Sequence, residues 1–94
     1  MDNNIYRISN SYSLFSGEFK ENKYYLFNIE DGTIYRLNEV SYTMLSMFDG
    51  VNDTAKIVES LKGEYEVDTI KIENDFYRLL NKWLENNILI SGGE

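Results

Sequence analysis

The chain contains no cysteine and no histidine. Without cysteine it has neither a disulfide framework nor a thiol nucleophile, and we expect a reducing, cytoplasmic location. Without histidine it lacks the side chain that most often serves as a general base or a transition-metal ligand. No nucleophile or acid–base pair stands out in the rest of the sequence. We therefore predict a protein that is not an enzyme and that uses no cofactor and no metal.

Long apolar runs are also missing, since none approaches the ~20 residues that span a bilayer. No signal-peptide pattern is visible at the start of the sequence. Positive charge is scarce, because 9 Lys and Arg stand against 16 Asp and Glu and give a net charge of −7. An acidic domain repels phosphate backbones. The sequence therefore predicts neither a membrane nor a nucleic-acid partner.

The 94 residues, of which 43% are hydrophobic, are enough for one domain with a modest core. We predict a single domain over residues 1–94, with its core at about residues 12–90. Residues 1–10 are polar apart from Ile5, Tyr6 and Ile8. They are expected to form a loose tail or a short edge strand.

Three strands are predicted in the first half of the chain, at 12–19, 24–29 and 33–37. Glu21-Asn22 is expected to turn the chain between the first two. Gly32, which follows Asp31, is free to adopt positive φ and close a hairpin between the second and third. The pattern indicates an antiparallel three-stranded meander.

The second half of the chain reads as three helices. Asn38 is a candidate N-cap for the first helix, and residues 49–53 are read as a helix–helix turn. Asp53 and residues 68–69 are candidate caps for the second and third helices, and residues 86–87 end the third. The predicted fold class is α+β, a three-stranded antiparallel sheet followed by a three-helix bundle that covers one face of the sheet.

Polar side chains recur on one side of the third helix: Lys71, Asp75, Arg78 and Lys82. With Arg36 from the third strand, they could line a locally positive channel. The alternative is a solvated helix face on which Asp75 pairs with Lys71 and Arg78. Trp83, on the same helix, is interpreted as a core residue.

Two stretches carry a family resemblance, YRLNEVSYTMLSMFDG at residues 35–50 and DFYRLLNKW at residues 75–83. Together with the spacing around them, they resemble the PqqD-like proteins, also called RiPP recognition elements, over residues 24–90. The matching positions are Tyr35, Leu37, Asn38, Asp49, Gly50, Ile57, Leu61, Tyr65, Asp75, Leu79 and Leu80. The departures from the family pattern are the pair Asp53 and Lys56 at the capping box of the second helix, together with Phe76, Trp83 and Asn87.

The resemblance implies a domain similar to a winged helix-turn-helix that binds the leader of a ribosomally made precursor peptide. The leader is expected to add as a strand to the third strand and to place side chains in a cleft beside the last helix. The implied peptide-binding residues are Thr33, Ile34, Tyr35, Arg36, Leu37, Lys71, Ile72, Asp75, Phe76, Arg78, Leu79 and Lys82.

The second implied partner is a maturation enzyme, either a lasso-peptide protease or a radical-SAM enzyme of pyrroloquinoline quinone, sactipeptide or related pathways. The length of the chain favours a separately encoded binding protein over a fused domain. The alternative function is a winged-helix DNA-binding regulator, in which Lys71, Arg78 and Lys82 imitate a recognition helix.

A homodimer is also possible, because the uncovered face of the sheet carries large apolar side chains. The strand pattern leaves two choices for that face. It presents either Tyr25, Phe27 and Ile29 or Tyr24 and Leu26.

Overall fold

The computed structural model describes residues 4–18, 22–64 and 69–92; the features predicted at Glu21, Tyr65 and Asp68 lie outside them. The described residues form six strands and three helices. The strands are β1 (Ile5–Ile8), β2 (Tyr12–Glu18), β3 (Asn22–Asn28), β4 (Ile34–Leu37), β5 (Asp49–Asp53) and β6 (Leu89–Ser91). The helices are α1 (Glu39–Ser46), α2 (Thr54–Glu64) and α3 (Thr69–Glu85).

The predicted meander is confirmed, since β2, β3 and β4 form one antiparallel sheet in that order. Gly32 has φ +79° in the turn that joins β3 to β4. The Asp31 carboxylate accepts a 2.8 Å hydrogen bond from the Thr33 N–H and holds this turn. Thr33 therefore belongs to the turn, and the third strand of the meander begins one residue later, at Ile34.

A second antiparallel sheet, with strand order β5-β1-β6, was not predicted. Its central strand comes from residues 1–10, so the expectation of a loose tail or edge strand is wrong. Residues 49–53, read as a helix–helix turn, form β5 and pair with β1. The apolar residues near the C-terminus form β6, which pairs with β1 from the other side. Pairing with partners distant in sequence decides the structure of these short stretches, and their local sequence does not specify those partners.

The predicted helix ends are largely confirmed. The Asn38 side chain caps α1 by accepting a 2.7 Å hydrogen bond from the Ser41 N–H. Asp53, the last residue of β5, caps α2 by accepting a 2.9 Å bond from the Lys56 N–H. Asn87 has φ +59° just after α3, as expected for a residue that ends a helix in the left-handed region.

An aromatic cluster in the core connects the second sheet to α3. The Phe48 ring stacks on Phe76 at 5.8 Å, meets Trp83 edge-on at 6.5 Å and meets Tyr6 of β1 at 6.4 Å. Trp83 is only 4% exposed, which confirms its interpretation as a core residue. Within the described ranges, no helix combines the length and the apolar character needed to cross a membrane.

The two faces of the first sheet differ sharply. The inner face carries Leu26, which is 1% exposed, and Tyr24, whose ring packs on Tyr42 of α1 at 4.7 Å. The outer face carries Phe15, 42% exposed and stacked on Tyr25 at 5.1 Å. The first of the two predicted arrangements, with Tyr25 on the uncovered face, is therefore confirmed. The homodimer that would cover this face stays a prediction.

Candidate functional site

Strand β4 is an edge strand, because its pairing partner among the described residues is β3 alone. Its four residues pair with β3 without interruption, from Ile34 opposite Phe27 to Leu37 opposite Tyr24. The opposite side of the strand thus presents backbone groups to solvent, and a regular edge of this kind is a template for another strand.

The alternation of hydrogen-bonded and non-hydrogen-bonded pairs along β3 and β4 shows which backbone groups of β4 face away from the sheet. The Asn28 N–H donates to the Thr33 carbonyl at 2.8 Å, which fixes this as a hydrogen-bonded pair. Such pairs alternate along an antiparallel ladder, so Tyr35 and Leu37 also bond to β3. Ile34 and Arg36 lie between them and direct their N–H and C=O groups outward. Four backbone groups, two donors and two acceptors, are therefore available to a guest strand.

A first cleft lies beyond the end of β4, between α1 and α3, with a volume of about 450 Å³. Its lining residues are Asn38, Val40, Ser41, Met44, Lys71, Ile72, Asp75, Arg78 and Leu79. Aliphatic side chains from both helices line its interior, and the charged side chains belong to α3. The cleft can therefore receive a bulky apolar side chain and surround it with polar groups.

A second, smaller cleft of about 260 Å³ lies beside β4 itself. Its lining residues are Tyr12, Leu26, Tyr35, Arg36, Leu37, Lys82, Trp83, Asn86 and Ile88. The two clefts are neighbours, because Leu37 is followed directly by Asn38 and because Leu79 precedes Lys82 by about one helical turn. Three aromatic rings, those of Tyr12, Tyr35 and Trp83, line this second cleft.

Tyr12, one of those rings, keeps its proton at neutral pH. Partial burial, together with nearby Tyr35, Asp31 and Glu30, raises the pKa of its phenol above the usual 10.0. The hydroxyl accepts a 3.4 Å hydrogen bond from the Asn28 side chain. A neutral hydroxyl can therefore hydrogen-bond to a group that enters the second cleft.

The polar side chains of α3, which are Lys71, Asp75, Arg78 and Lys82, include two ion pairs with Asp75. Such pairs are what the predicted alternative to a positive channel requires. The Asp75 carboxylate lies 3.0 Å from the Lys71 ammonium and 3.6 Å from the Arg78 guanidinium. The hydrogen bond from Lys71, reinforced by the charges of Lys71 and Arg78, lowers the pKa of Asp75 below its usual 3.8. Lys82 forms no ion pair with any carboxylate in the described ranges.

Arg36 shares the second cleft with Lys82, whereas Lys71, Asp75 and Arg78 line the first cleft, so the predicted channel combines Arg36 with only one residue of α3. Arg36 pairs with Tyr25 across the sheet, so its side chain shares the outer face with that ring. Its guanidinium carbon is 5.9 Å from the Tyr25 ring centroid, within cation–π range. Arg36 also contributes to the rim of the second cleft.

The remaining predicted residues divide into three groups. Ile34 and Tyr35 are 57% and 43% exposed on the edge strand, and Leu37 is half-buried beside them. Thr33 is exposed in the preceding turn and lines neither cleft. Phe76 is 0% exposed and stacks on Phe48. It therefore packs in the core beneath the cleft-lining residues of α3 and offers no surface to a peptide in this structure.

Sequence reasoning missed the contribution of α1 to the first cleft. Val40, Ser41 and Met44 line it because the helix begins directly after the edge strand. The sequence contains the signal for this contribution, because Asn38 is a predicted N-cap and a helix that starts there places its first turns at the end of the edge strand. Asn86 and Tyr12 of the second cleft were also missed, and no local pattern singles them out.

The DNA-binding alternative receives no support from these observations. Two of its three proposed cations, Lys71 and Arg78, are paired with Asp75. The net charge of −7 opposes binding to a phosphate backbone. Among the residues that the structure describes, no group of three acidic side chains converges to hold a metal ion.

Comparison with known proteins identifies the class that this fold and edge represent. The family model described as coenzyme PQQ synthesis protein D (PqqD) matches residues 23–89. The chain belongs to the PqqD family. No curated protein matches the sequence significantly.

Two solved structures share the fold of this chain. One is described as lasso peptide synthetase B1 complexed with the leader peptide: TM-score 0.72, 20% identity, 90% of this chain and 96% of that chain covered. The other is described as TbiB1 in complex with the TbiA(beta) leader peptide: TM-score 0.68, 23% identity, coverage 88% and 93%. At these identities the likeness establishes the common fold.

Proposed function

We propose that this protein is a non-catalytic, cytoplasmic binding module that captures the leader of a ribosomally synthesised precursor peptide. The observation that carries the proposal is the regular, open edge of β4 beside two clefts on α3. Membership of the PqqD family supports it, as does the fold shared with two proteins whose structures are described as leader-peptide complexes.

The leader adds as a further strand along Ile34–Leu37 and bonds to the outward backbone groups of Ile34 and Arg36. Its inward side chains meet the two clefts, and its outward side chains extend the outer face of the sheet. The residues that we propose to contact it are those of β4 together with Lys71, Ile72, Asp75, Arg78, Leu79 and Lys82.

Energetics indicate that side chains in the clefts decide affinity. Each backbone hydrogen bond contributes about 0.5–1.5 kcal/mol, whereas ordering each peptide residue costs about 1–2 kcal/mol. These terms roughly cancel. An apolar side chain that becomes buried contributes about 1.5–3 kcal/mol, so one or two such residues set the register. The dissociation constant that we expect, about 1 μM or lower and near −8 kcal/mol, therefore requires about three or more buried apolar side chains across the two clefts.

The enzyme that receives the captured precursor is proposed to be a lasso-peptide protease. The fold shared with a protein described as lasso peptide synthetase B1 supports this enzyme, and the match to the PqqD family model supports a radical-SAM enzyme as the alternative. Co-purification of tagged versions of both enzyme types, encoded near the gene, would separate the two. Retention of a radical-SAM enzyme and loss of the protease would reverse the assignment.

The edge proposal is tested by proline substitution, because proline removes one backbone donor and is tolerated on an edge strand when that donor faces solvent. Ile34→Pro removes an outward N–H of β4. Ser16→Pro is the matched control on β2, the other edge of the same sheet, where the same alternation directs the Ser16 N–H outward.

The assay is fluorescence polarisation with the labelled N-terminal half of a precursor peptide encoded beside the gene. Ile34→Pro should weaken binding about fivefold or more, and Ser16→Pro should leave it unchanged. Circular dichroism checks that both variants stay folded. Equal binding by the two variants would remove β4 as the site, and a loss confined to Ser16→Pro would move the site to β2.

A further inference from the structure

Arg36 is a cation at the edge of an acidic protein with no carboxylate to neutralise it in the described ranges, unlike Lys71 and Arg78. Its side chain is exposed and rests on Tyr25, whose other neighbour is the stacked ring of Phe15. The guanidinium carbon lies 5.9 Å from the centroid of the Tyr25 ring, a cation–π distance that favours positions of the side chain near the ring. Within the described part of the chain, the guanidinium N–H donors of Arg36 have no hydrogen-bond acceptor and can donate to another partner.

The position of a new partner follows from the ladder. Arg36 directs its backbone groups outward, so it would form a hydrogen-bonded pair with the guest residue directly opposite. The two side chains of such a pair lie on the same face, with Cβ atoms about 4.5–5.5 Å apart. The guest residue opposite Arg36 is therefore on the outer face, away from both α3 and the first cleft.

We infer that Arg36 is a specificity-determining residue that selects an acidic side chain at this one position of the bound peptide. The inference rests on the proposed strand addition. A carboxylate there meets a planar guanidinium that lies beside Tyr25 on the same face. A basic residue at the same position would meet an unpaired cation, and cross-strand pairs of like charge are destabilising.

Alternation also predicts what surrounds the acidic residue. The next outward guest position, two residues away, lies opposite Ile34, which is 57% exposed and accepts an apolar neighbour. The residue between them faces inward, toward the second cleft. On its outer face, the guest strand is thus expected to carry an acidic residue opposite Arg36 and an apolar residue two positions away, opposite Ile34. This preference is independent of the side chains that enter the clefts.

The test uses random twelve-residue peptides in messenger-RNA display, selected on the full chain. Peptides that also bind Ile34→Pro are removed, so that those retained depend on the β4 edge. Three variants are compared with the wild type: Arg36→Glu, Arg36→Lys and Lys56→Glu. Lys56 is exposed on α2, outside both clefts, and Lys56→Glu controls for the change in net charge.

Wild type should enrich Asp or Glu at one position, with an apolar residue two positions away. Changing that acidic residue to Lys should weaken binding to wild type about tenfold and strengthen binding to Arg36→Glu, as expected when repulsion replaces attraction between two side chains at an exposed edge. Arg36→Lys should keep the acidic preference in weaker form. Lys56→Glu should select the same peptides as wild type.

The outcomes separate this inference from the proposed function. The role of Arg36 would be overturned if the edge-dependent peptides selected by wild type show no acidic preference at any position. It would also be overturned if Arg36→Glu selects peptides with the same acidic preference as wild type. Both outcomes leave strand addition intact. If no edge-dependent peptide is recovered, both fail. Thermal unfolding of Arg36→Glu, which should match wild type, shows whether an altered selection reflects recognition or folding.

Discussion

The two sheets of this protein are built in different ways. The first, β2-β3-β4, is formed by strands that follow one another and are joined by turns. The second, β5-β1-β6, brings together the beginning, the middle and the end of the described chain. The first ends in a regular edge at β4, whereas the second contributes Tyr6 to the aromatic core.

The edge strands of the second sheet, β5 and β6, are less suited to pairing with another chain than β4 is. Strand β5 has a register shift opposite β1, and Gly50 within it has φ +81°. The Asp49 carboxylate accepts hydrogen bonds from the backbone of Val51 and Asn52 and turns the chain locally. Strand β6 is only three residues long. Bulges and short strands discourage pairing with another chain, so β4 is much the better template beside the clefts.

The largest expected effect comes from removing the centre of the second sheet. Deleting residues 1–9 takes away the partner of both β5 and β6 and exposes the cluster around Phe48. We expect loss of most of a stability of about 5–15 kcal/mol, seen as a missing cooperative transition in urea unfolding followed by circular dichroism. An unchanged midpoint would show that the second sheet is dispensable and that the first folds without it.

Two phenylalanines sharpen the contrast between core and outer face. Phe76→Ala empties a fully buried position and should cost about 3–5 kcal/mol. Phe15→Ala removes a ring that is 42% exposed and should cost under about 1 kcal/mol. Urea midpoints of the two variants measure the difference. Similar losses would mean that the outer face of the first sheet is covered in solution, for example by a second copy.

Local signals were enough to predict the first sheet and the helices. The Asp31-Gly32 turn, the Asn38 cap and the apolar stripe of α3 each depend on residues close in sequence. The second sheet has no such signal. Residues 49–53 have the composition of a turn, and they become a strand only because β1 lies beside them.

The site was predictable to a similar extent. Alternation identified the exposed side chains of β4, and helical periodicity brought Lys71, Asp75 and Leu79 to one wall. Periodicity gives the direction of a side chain and not its depth, which is why buried Phe76 was included. The side chain of Arg36 lies beside Tyr25 because of the face of β4 on which it stands. The spacing of the polar residues on α3 gives no information about that face.

Binding of a leader peptide should depend on the residues of α3 that line the first cleft, such as Leu79, and not on a charged residue of α2 such as Lys56. Leu79 is half-buried in the first cleft, and Leu79→Arg replaces an apolar contact of about 1.5–3 kcal/mol with a cation. We expect the dissociation constant of a leader peptide to rise at least about tenfold in fluorescence polarisation. Lys56→Glu, on the far helix α2, should have no effect. If both variants weaken binding alike, the peptide does not enter this cleft.

The smallest effect concerns the ion pairs of α3. The pKa of Asp75 is depressed in the folded protein, so the stability that this carboxylate contributes is complete above its unfolded pKa and is lost as pH falls through the lower folded value. Asp75→Asn should therefore lower the melting temperature slightly at pH 7 and make the decline below about pH 4 shallower. The pair is exposed, so the shift is expected to be small.

Salt separates this effect from a backbone hydrogen bond. The pKa of Asp31 is also lowered, chiefly because the Thr33 N–H donates to it, and that bond involves no cation. At 1 M salt the Debye length is about 3 Å, so the difference in melting temperature between wild type and Asp75→Asn should shrink. The difference for Asp31→Ala should persist. A salt-insensitive Asp75 effect would mean that the hydrogen bond from Lys71, and not the attraction between the charges, carries the contribution of this carboxylate to stability.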